Sequence, residues 1–307
     1  PFPEELFRNL EALIDRFHRA GLEFGIGFSP YEIYLSFDDE ARKQLLARIE
    51  TFNRLGLDRL AILFDDMKGG LPGLARMQVD IAHLIRDHAR ARHFAICPTY
   101  YSYDPVLDQI FGKRPATYLE ELGQKLDPEI DIFWTGEVTC SKSYPPEHIR
   151  EVSALIARKP LLWDNYPVND GPKMCKFLHL RAFEGRPREL SGLLSGHAVN
   201  PMNQPVLSRI PMLTLAEVYR STNSYSPAAT FLRAAEEVGT HDFAVRLAAD
   251  LDLFATRGFE LLSPAEKQEL VRTYSEFLNS KAGPAASEII DWLNGRSIVG
   301  REVFLTQ

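Results

Sequence analysis

Two adjacent carboxylic acids, Asp65 and Asp66, directly follow an apolar run at residues 60–64. Two like charges at close range raise the pKa of at least one acid, and such an acid can give a proton to a leaving oxygen near neutral pH. The pair could therefore carry out acid/base chemistry. The dipeptide alone is also compatible with a helix N-cap beside a solvated neighbour, and with two ligands of a divalent cation.

The adjacency of the two acids limits which hydrolytic mechanism they could serve. Neighbouring strand residues point to opposite sides, so Asp65 and Asp66 are poorly placed as the facing nucleophile and acid of an ordinary retaining glycosidase. Substrate-assisted hydrolysis suits them better, because the 2-acetamido oxygen of the sugar then attacks the anomeric carbon. One acid would hold the amide N–H, and the other would serve as general acid and later as general base.

Other predicted strand ends carry side chains suited to a sugar. Flat aromatic faces pack on pyranose C–H surfaces, and amide or carboxylate groups bind hydroxyls. The aromatic candidates are Tyr100, Tyr101, Trp134 and Trp163, and the polar candidates are Asn165, Asp170 and Asn200. A metal site would need more convergent acids than the few that follow strands, so we predict no metal.

Short apolar runs and amphipathic helical patterns alternate along the first two-thirds of the chain, which is typical of βα units with a parallel sheet. The runs lie at residues 22–28, 60–64, 94–97, 130–134, 160–163 and 192–194. The helical patterns lie at residues 4–20, 38–55, 71–92, 118–125, 146–158, 173–182 and 205–221. Polar or aromatic residues follow the strands, as at the active-site face of a (β/α)8 barrel. A doubly wound sheet would want a glycine-rich phosphate turn, and no such turn is present.

The strand signals stop near residue 221, and helical patterns continue to the end. Ser226-Pro227 opens one helix, and Ser263-Pro264-Ala265-Glu266 is a capping box with proline at the first helical position. We predict a barrel domain at residues 1–221 and an α-helical domain at residues 222–307. These helices could extend a protein-binding groove or form a homodimer with a second copy.

Composition and charge exclude several classes of partner. The chain has 307 residues, 45% hydrophobic and 25% charged, with 35 basic and 42 acidic residues and a net charge of -7. Without a basic cluster, neither a nucleic acid nor a membrane surface is an expected partner. Three cysteines far apart in sequence favour a reducing compartment, so we expect a cytoplasmic protein.

Five segments of the chain resemble glycoside hydrolase family 84, the family of O-GlcNAcases and bacterial β-N-acetylglucosaminidases. The stretch at residues 163–170, Trp-Asp-Asn-Tyr-Pro-Val-Asn-Asp, is the most specific of them. The others are Ala61-Ile62-Leu63-Phe64-Asp65-Asp66, Cys97-Pro98-Thr99-Tyr100-Tyr101, Trp134-Thr135-Gly136 and Asn200-Pro201-Met202-Asn203-Gln204. Their order and spacing extend the resemblance over roughly residues 1–220.

The resemblance implies a retaining, substrate-assisted hydrolase with an oxazoline intermediate and no cofactor. By motif position, Asp65 is expected to orient the acetamido group and Asp66 to act as general acid and base. The expected substrate contacts are Tyr101 at the acetamido oxygen, Trp163 as the wall of the acetamido pocket, Asn165 beside it, and Asp170 and Asn200 at the sugar hydroxyls. Family barrels begin with two strands whose motifs precede this sequence, so we expect the first two βα units to be missing.

The function expected from the resemblance is removal of terminal β-linked GlcNAc from a glycoprotein or glycan. Two alternatives stay open on the sequence. One is a GlcNAc-binding or scaffold protein that has lost catalysis, and the other is a barrel hydrolase that uses a divalent metal at Asp65 and Asp66.

Overall fold

Six strands form one sheet in the computed structural model of the chain, which describes residues 3–220 and 225–298. Neighbours in the sheet follow chain order, and the four pairs from the first to the fifth strand are parallel. The first and last strands are the sheet edges, so within the described residues the sheet is open. The strands are β1 (Gly25–Phe28), β2 (Arg59–Leu63), β3 (His93–Cys97), β4 (Ile130–Trp134), β5 (Leu161–Asp164) and β6 (Gly196–Val199).

Helices precede, connect and follow the strands, as the alternation of patterns predicted. They are α1 (Glu4–Arg19), α2 (Asp39–Leu55), α3 (Leu74–His88), α4 (Pro105–Phe111), α5 (Tyr118–Lys125), α6 (Pro146–Leu155), α7 (Leu190–Leu193) and α8 (Pro205–Arg220). Local chemistry sets their ends. At α2, for example, the Asp38 carboxylate accepts the Ala41 N–H at 2.9 Å, and Gly56 ends the helix with φ at +70°.

Five further α-helices follow α8 within the described residues. They are α9 (Pro227–Val238), α10 (His241–Ala249), α11 (Gly258–Leu261), α12 (Pro264–Ser275) and α13 (Gly283–Leu293). The predicted start of α9 is confirmed, since Ser226 is its N-cap. The predicted capping box is also confirmed, because the Ser263 side chain and the Glu266 side chain each accept the other's backbone N–H. No helix in the described ranges is long and apolar enough to cross a membrane.

Two of the predicted elements are wrong. The sixth strand is at Gly196–Val199 and not at residues 192–194, most of which belong to the one-turn helix α7. The sequence of β6 is Gly-His-Ala-Val, in which the histidine interrupts any apolar run, and all four residues are partly exposed. The helix predicted at residues 173–182 is a single 3-10 turn at Met174–Lys176, after which Leu178 donates its backbone N–H to the Phe254 carbonyl.

Packing divides the chain into two compact units. The first comprises Pro1–Thr139, Pro146–Trp163 and Gly192–His197, and the second comprises Cys140–Pro145, Asp164–Ser191 and Ala198–Gln307. The domain boundary predicted between residues 221 and 222 lies outside the described residues, so the two-domain division at that point stays a prediction.

Each unit has its own apolar core. In the first unit, β2 to β4 are almost continuously apolar, as strands covered on both faces are. Their fully buried side chains include Ile62, Ile96, Ile130, Ile132 and Trp134. The core of the second unit is mainly aliphatic, and it also contains the buried aromatic residues Phe231, Phe243, Phe254, Tyr274 and Trp292.

Candidate active site

The two acids lie in a turn that begins two residues after β2. Phe64 is fully buried, Asp65 is half-buried and Asp66 is exposed to solvent. The backbone of Asp66 has a φ of +54°, in the left-handed region that residues with a side chain rarely adopt. Such conformations persist only where the surroundings impose them, and they concentrate at functional sites.

The segment that follows β3 holds both ends of this turn. On one side, the Thr99 hydroxyl donates a hydrogen bond of 2.7 Å to the Phe64 carbonyl. On the other, the Tyr100 hydroxyl accepts the Gly70 backbone N–H at 2.8 Å and donates to the Gly112 carbonyl at 2.5 Å. The chain is therefore held by hydrogen bonds at Phe64, directly before the turn, and at Gly70, shortly after it.

The carboxylate of Asp65 is electrostatically perturbed. Burial, and after it the negative charge of Asp66, raises the pKa of Asp65 to about 6. Burial also raises the pKa of the Cys97 thiol, and the charges of Asp65 and Asp66 add to that shift. Cys97 ends β3 and pairs with Leu63, so it belongs to the surroundings of the acids. Cys97 opens one of the family motifs, but no role was predicted for its thiol.

Two predicted sugar contacts lie in the same unit as the acids. Tyr101 follows β3 and is 9% exposed, and its carbonyl accepts the Thr135 N–H at 2.9 Å. Trp163 lies in β5 with its ring half-buried against Phe133, at 5.0 Å between ring centroids. Both residues belong to segments at the carboxyl ends of strands, where sites of parallel α/β folds are built.

The prediction that Tyr100 and Trp134 offer faces to a sugar is wrong. Tyr100 is 1% exposed, and its hydroxyl is engaged by backbone groups. Trp134 is 0% exposed, its indole N–H donates to His148 at 3.0 Å, and its ring contacts Tyr103 edge-on. Both rings are structural, as large aromatic residues beside a sheet often are.

The remaining candidates lie in the second unit. The Asn200 side-chain amide donates to the Asn165 side-chain oxygen at 3.0 Å, and the Asn200 backbone N–H donates to the Asp164 carbonyl at 3.0 Å. The structure therefore brings Asn165 and Asn200 together. Asp170 is exposed to solvent.

A buried ion pair supports the segment that carries Asn165. Arg186 binds Asp164 through two hydrogen bonds, of 2.8 Å from Nε and 2.6 Å from Nη2, and the two side chains are 5% and 0% exposed. Arg186 also donates to the Lys142 and Glu184 carbonyls at 2.7 and 2.6 Å. With its donors satisfied in this way, Arg186 fixes the backbone at the end of β5.

Within residues 3–220 and 225–298, no group of three or more His, Cys, Asp or Glu side chains is arranged to hold a metal ion. The metal-dependent alternative therefore has no ligand set in this part of the chain.

A parallel α/β sheet with paired acids after one strand and an aromatic residue at the end of another is typical of barrel-type glycoside hydrolases. The sequence model of the family described as beta-N-acetylglucosaminidase matches residues 1–254. The chain belongs to this family, glycoside hydrolase family 84, as the resemblance predicted.

Individual relatives agree with this assignment. The protein O-GlcNAcases of Rattus norvegicus and Mus musculus are 32% and 31% identical to the chain over 222 residues. These alignments cover 69% of the chain and 24% of each relative, so the chain spans about a quarter of the length of these curated relatives. A mutant O-GlcNAc hydrolase of Thermobaculum terrenum superimposes with a TM-score of 0.73 at 27% identity, covering 94% of this chain and 63% of that one.

Proposed function

We propose that this chain supplies the catalytic acids of a retaining β-N-acetylglucosaminidase that removes terminal β-linked GlcNAc by substrate-assisted catalysis. The observation that carries the proposal is the turn after β2, where two neighbouring carboxylates occupy different environments. Asp65 is half-buried with a raised pKa, and Asp66 is exposed in a left-handed conformation. Two carboxylates in unlike environments can take different roles, and the family motif is the basis on which the acceptor role is proposed for Asp65 and the proton-transfer role for Asp66.

Asp65 is proposed to act as the acceptor for the acetamido N–H of the substrate. With a pKa of about 6, its carboxylate is mostly ionised at neutral pH, as an acceptor must be. Its partial burial strengthens the hydrogen bond that it makes to the amide, because that bond is poorly screened by water. Holding the N–H in this way makes the acetamido oxygen a better nucleophile and stabilises the positive charge of the forming oxazoline.

Asp66 is proposed to move the proton. In the first step the acetamido oxygen bonds to the anomeric carbon, the glycosidic bond breaks, and the leaving oxygen takes the Asp66 proton. In the second step Asp66 takes a proton from water, whose oxygen attacks the anomeric carbon and reopens the oxazoline with overall retention of configuration. The exposure of Asp66 suits a group that must exchange its proton with an incoming water molecule.

The binding roles follow from the family motifs. Tyr101 is proposed to hold the acetamido oxygen, Trp163 to form the wall of the acetamido pocket, and Asn165 to make a polar contact beside it. Asp170 and Asn200 are proposed to bind the sugar hydroxyls. The Asn165–Asn200 hydrogen bond supports the pairing of those two residues. The proposed substrate is a glycoprotein or glycan bearing GlcNAc, and a homodimer through the C-terminal helices stays a prediction.

The decisive experiment is turnover of aryl N-acetyl-β-glucosaminides by the full chain. We expect cleavage of the N-acetyl substrate and poor turnover of the matching aryl glucoside, which has no amide to act as nucleophile. Asp65→Asn should lower kcat/KM by about 100-fold or more with every leaving group. Asp66→Asn should lose much less activity with a dinitrophenyl leaving group, which departs without a proton, than with a poor leaving group.

The control variant is Asp87→Asn, which removes an exposed acid on α3 in the same unit and should leave the rates unchanged. Equal losses in Asp66→Asn with good and poor leaving groups would show that Asp66 is not the general acid. Binding of GlcNAc without turnover by the full chain would favour the non-catalytic alternative.

A further inference from the structure

A closed ring of buried hydrogen bonds contacts the residue that precedes the turn carrying the acids, through the hydrogen bond from Thr99 to the Phe64 carbonyl. It joins the side chains of Gln78 in α3, Tyr118 in α5 and Thr99 after β3, which are 0%, 1% and 0% exposed. The Tyr118 hydroxyl donates to Gln78 Oε1, and Gln78 Nε2 donates to the Thr99 hydroxyl at 2.8 Å. The Thr99 backbone N–H donates back to the Tyr118 hydroxyl at 3.1 Å.

The ring leaves the Thr99 hydroxyl with a single direction in which to donate. Because that hydroxyl accepts from the Gln78 amide, its one proton points to the Phe64 carbonyl, at 2.7 Å. A hydroxyl has one donor, so the arrangement has a defined polarity in which Gln78 orients Thr99 and Thr99 binds Phe64. Buried hydrogen-bond networks with all their members satisfied in this way make the local structure rigid.

The hydrogen bond from the Thr99 hydroxyl to the Phe64 carbonyl replaces the next backbone hydrogen bond that would continue the pairing of β2 with β3. The β2–β3 pairing continues as far as the Phe64 N–H, which donates to the Cys97 carbonyl at 2.8 Å. The Thr99 backbone N–H is committed to Tyr118, so the Thr99 side chain binds the Phe64 carbonyl instead. That carbonyl belongs to the peptide bond that enters Asp65.

We propose that Thr99 is a positioning residue, whose hydroxyl fixes the peptide plane before Asp65 and thereby aims the carboxylate of that acid at the substrate amide. Gln78 and Tyr118 act through Thr99 by fixing the direction of its hydroxyl. The inference rests on the proposed function for the role of Asp65, and it adds Thr99, Gln78 and Tyr118, of which only Thr99 lies in a family motif.

The nearly isosteric variant Thr99→Val tests the idea, since it removes the hydroxyl and keeps the packing. A misplacement of about 1 Å costs on the order of 100-fold in rate, so we expect kcat to fall by about 10- to 100-fold with KM nearly unchanged. Thr99→Ser retains the hydroxyl and should keep most of the activity. Gln78→Leu should follow Thr99→Val, because it leaves the hydroxyl undirected.

A matched control separates positioning from general stability. Thr214 in α8 is also a fully buried threonine whose hydroxyl donates to a backbone carbonyl, that of Pro211 at 2.7 Å, and accepts a backbone N–H, that of Phe183 at 3.0 Å. Thr214→Val should cost a comparable amount of stability without changing kcat per folded molecule.

A second readout does not depend on activity. The pKa of the Asp65 carboxyl can be followed by ¹³C NMR, and in Thr99→Val it should fall from about 6 as the loosened carboxylate gains access to water. If the wild-type chain is active and Thr99→Val matches it in kcat per folded molecule, the proposal is overturned. If the wild type turns over no N-acetyl substrate, the proposed function fails, and an unchanged Asp65 titration in Thr99→Val overturns the positioning role separately.

Discussion

Replacing Asp65 by Asn should make the protein more stable at neutral pH while lowering its proposed activity by about 100-fold or more. Burial, and after it the charge of Asp66, raises the pKa of Asp65 from 3.8 to about 6. The folded protein therefore binds this proton more tightly than the unfolded chain does, and ionisation of Asp65 opposes folding. A neutral amide at this position does not incur that cost.

The size of the expected gain in the free energy of unfolding follows from the difference between the folded and unfolded pKa values of Asp65. A rise from 3.8 to about 6 corresponds to about 3 kcal/mol, at about 1.36 kcal/mol per unit. This cost is fully present above pH 6, where Asp65 is ionised in both states, and it disappears below the unfolded value. The free energy of unfolding of Asp65→Asn should exceed that of the wild type by about 3 kcal/mol at pH 8 and by about 1 kcal/mol at pH 4.5.

Urea unfolding across this pH range measures the difference, and Asp58→Asn is the control of opposite sign. The backbone N–H of Phe24, followed by the side chains of His18 and Arg92, lowers the pKa of Asp58. Asp58 therefore stabilises the fold at neutral pH and loses that contribution as pH falls, so its Asn variant should be less stable than the wild type at pH 8. An Asp65→Asn variant that is less stable than the wild type at pH 8, or whose advantage does not change with pH, would refute the reasoning.

Three further predictions concern the stability of the fold, and urea unfolding checks each of them. Arg186→Ala should cost about 3–5 kcal/mol, because it leaves the buried Asp164 carboxylate without a counter-charge, and a loss below about 1 kcal/mol would contradict this. Gly123→Ala should cost about 1–3 kcal/mol, since the added methyl group would lie 2.4 Å from the Ile156 carbonyl oxygen. An unchanged stability would contradict this, because it would mean that α5 can move away from Ile156 at no cost. Ser263→Ala should cost about 1 kcal/mol through loss of the N-cap of α12, while Ser263→Thr should retain most of it.

The sequence predicted most of the sheet because β2 to β5 are apolar runs with clear ends, whereas β1 begins at Gly25, three residues after its predicted start. β4 agrees with its prediction at both ends, and β2, β3 and β5 agree within a residue or so. β6 was misplaced because it is partly exposed along its length and contains His197, so no apolar run marks it. The predicted helix at residues 173–182 failed for a different reason, since Leu178 and Leu180 are buried by contacts with distant helices that local periodicity does not report.

Sequence reasoning about the site was limited in a similar way. It located the acids, which follow an apolar strand, but it treated Tyr100 as a sugar contact when its hydroxyl binds the backbone at Gly70 and Gly112. It also gave no signal for Gln78, whose position in the middle of α3 looks like that of any polar helix residue. Hydrogen bonds between residues 12 to 40 positions apart depend on the fold and not on a local pattern.

The structure also changes the reason why Asp65 and Asp66 can have different roles. The sequence alone suggests that both acids lie on a strand and point to opposite sides, but β2 ends at Leu63 and both acids lie in the turn beyond it. Strand alternation therefore does not separate them. The turn does, because the left-handed backbone at Asp66 leaves that acid exposed while its neighbour remains half-buried. A substrate-assisted reaction needs one acid that stays ionised beside an amide and one that exchanges protons with water, and a rigid turn can hold two adjacent residues in those two environments.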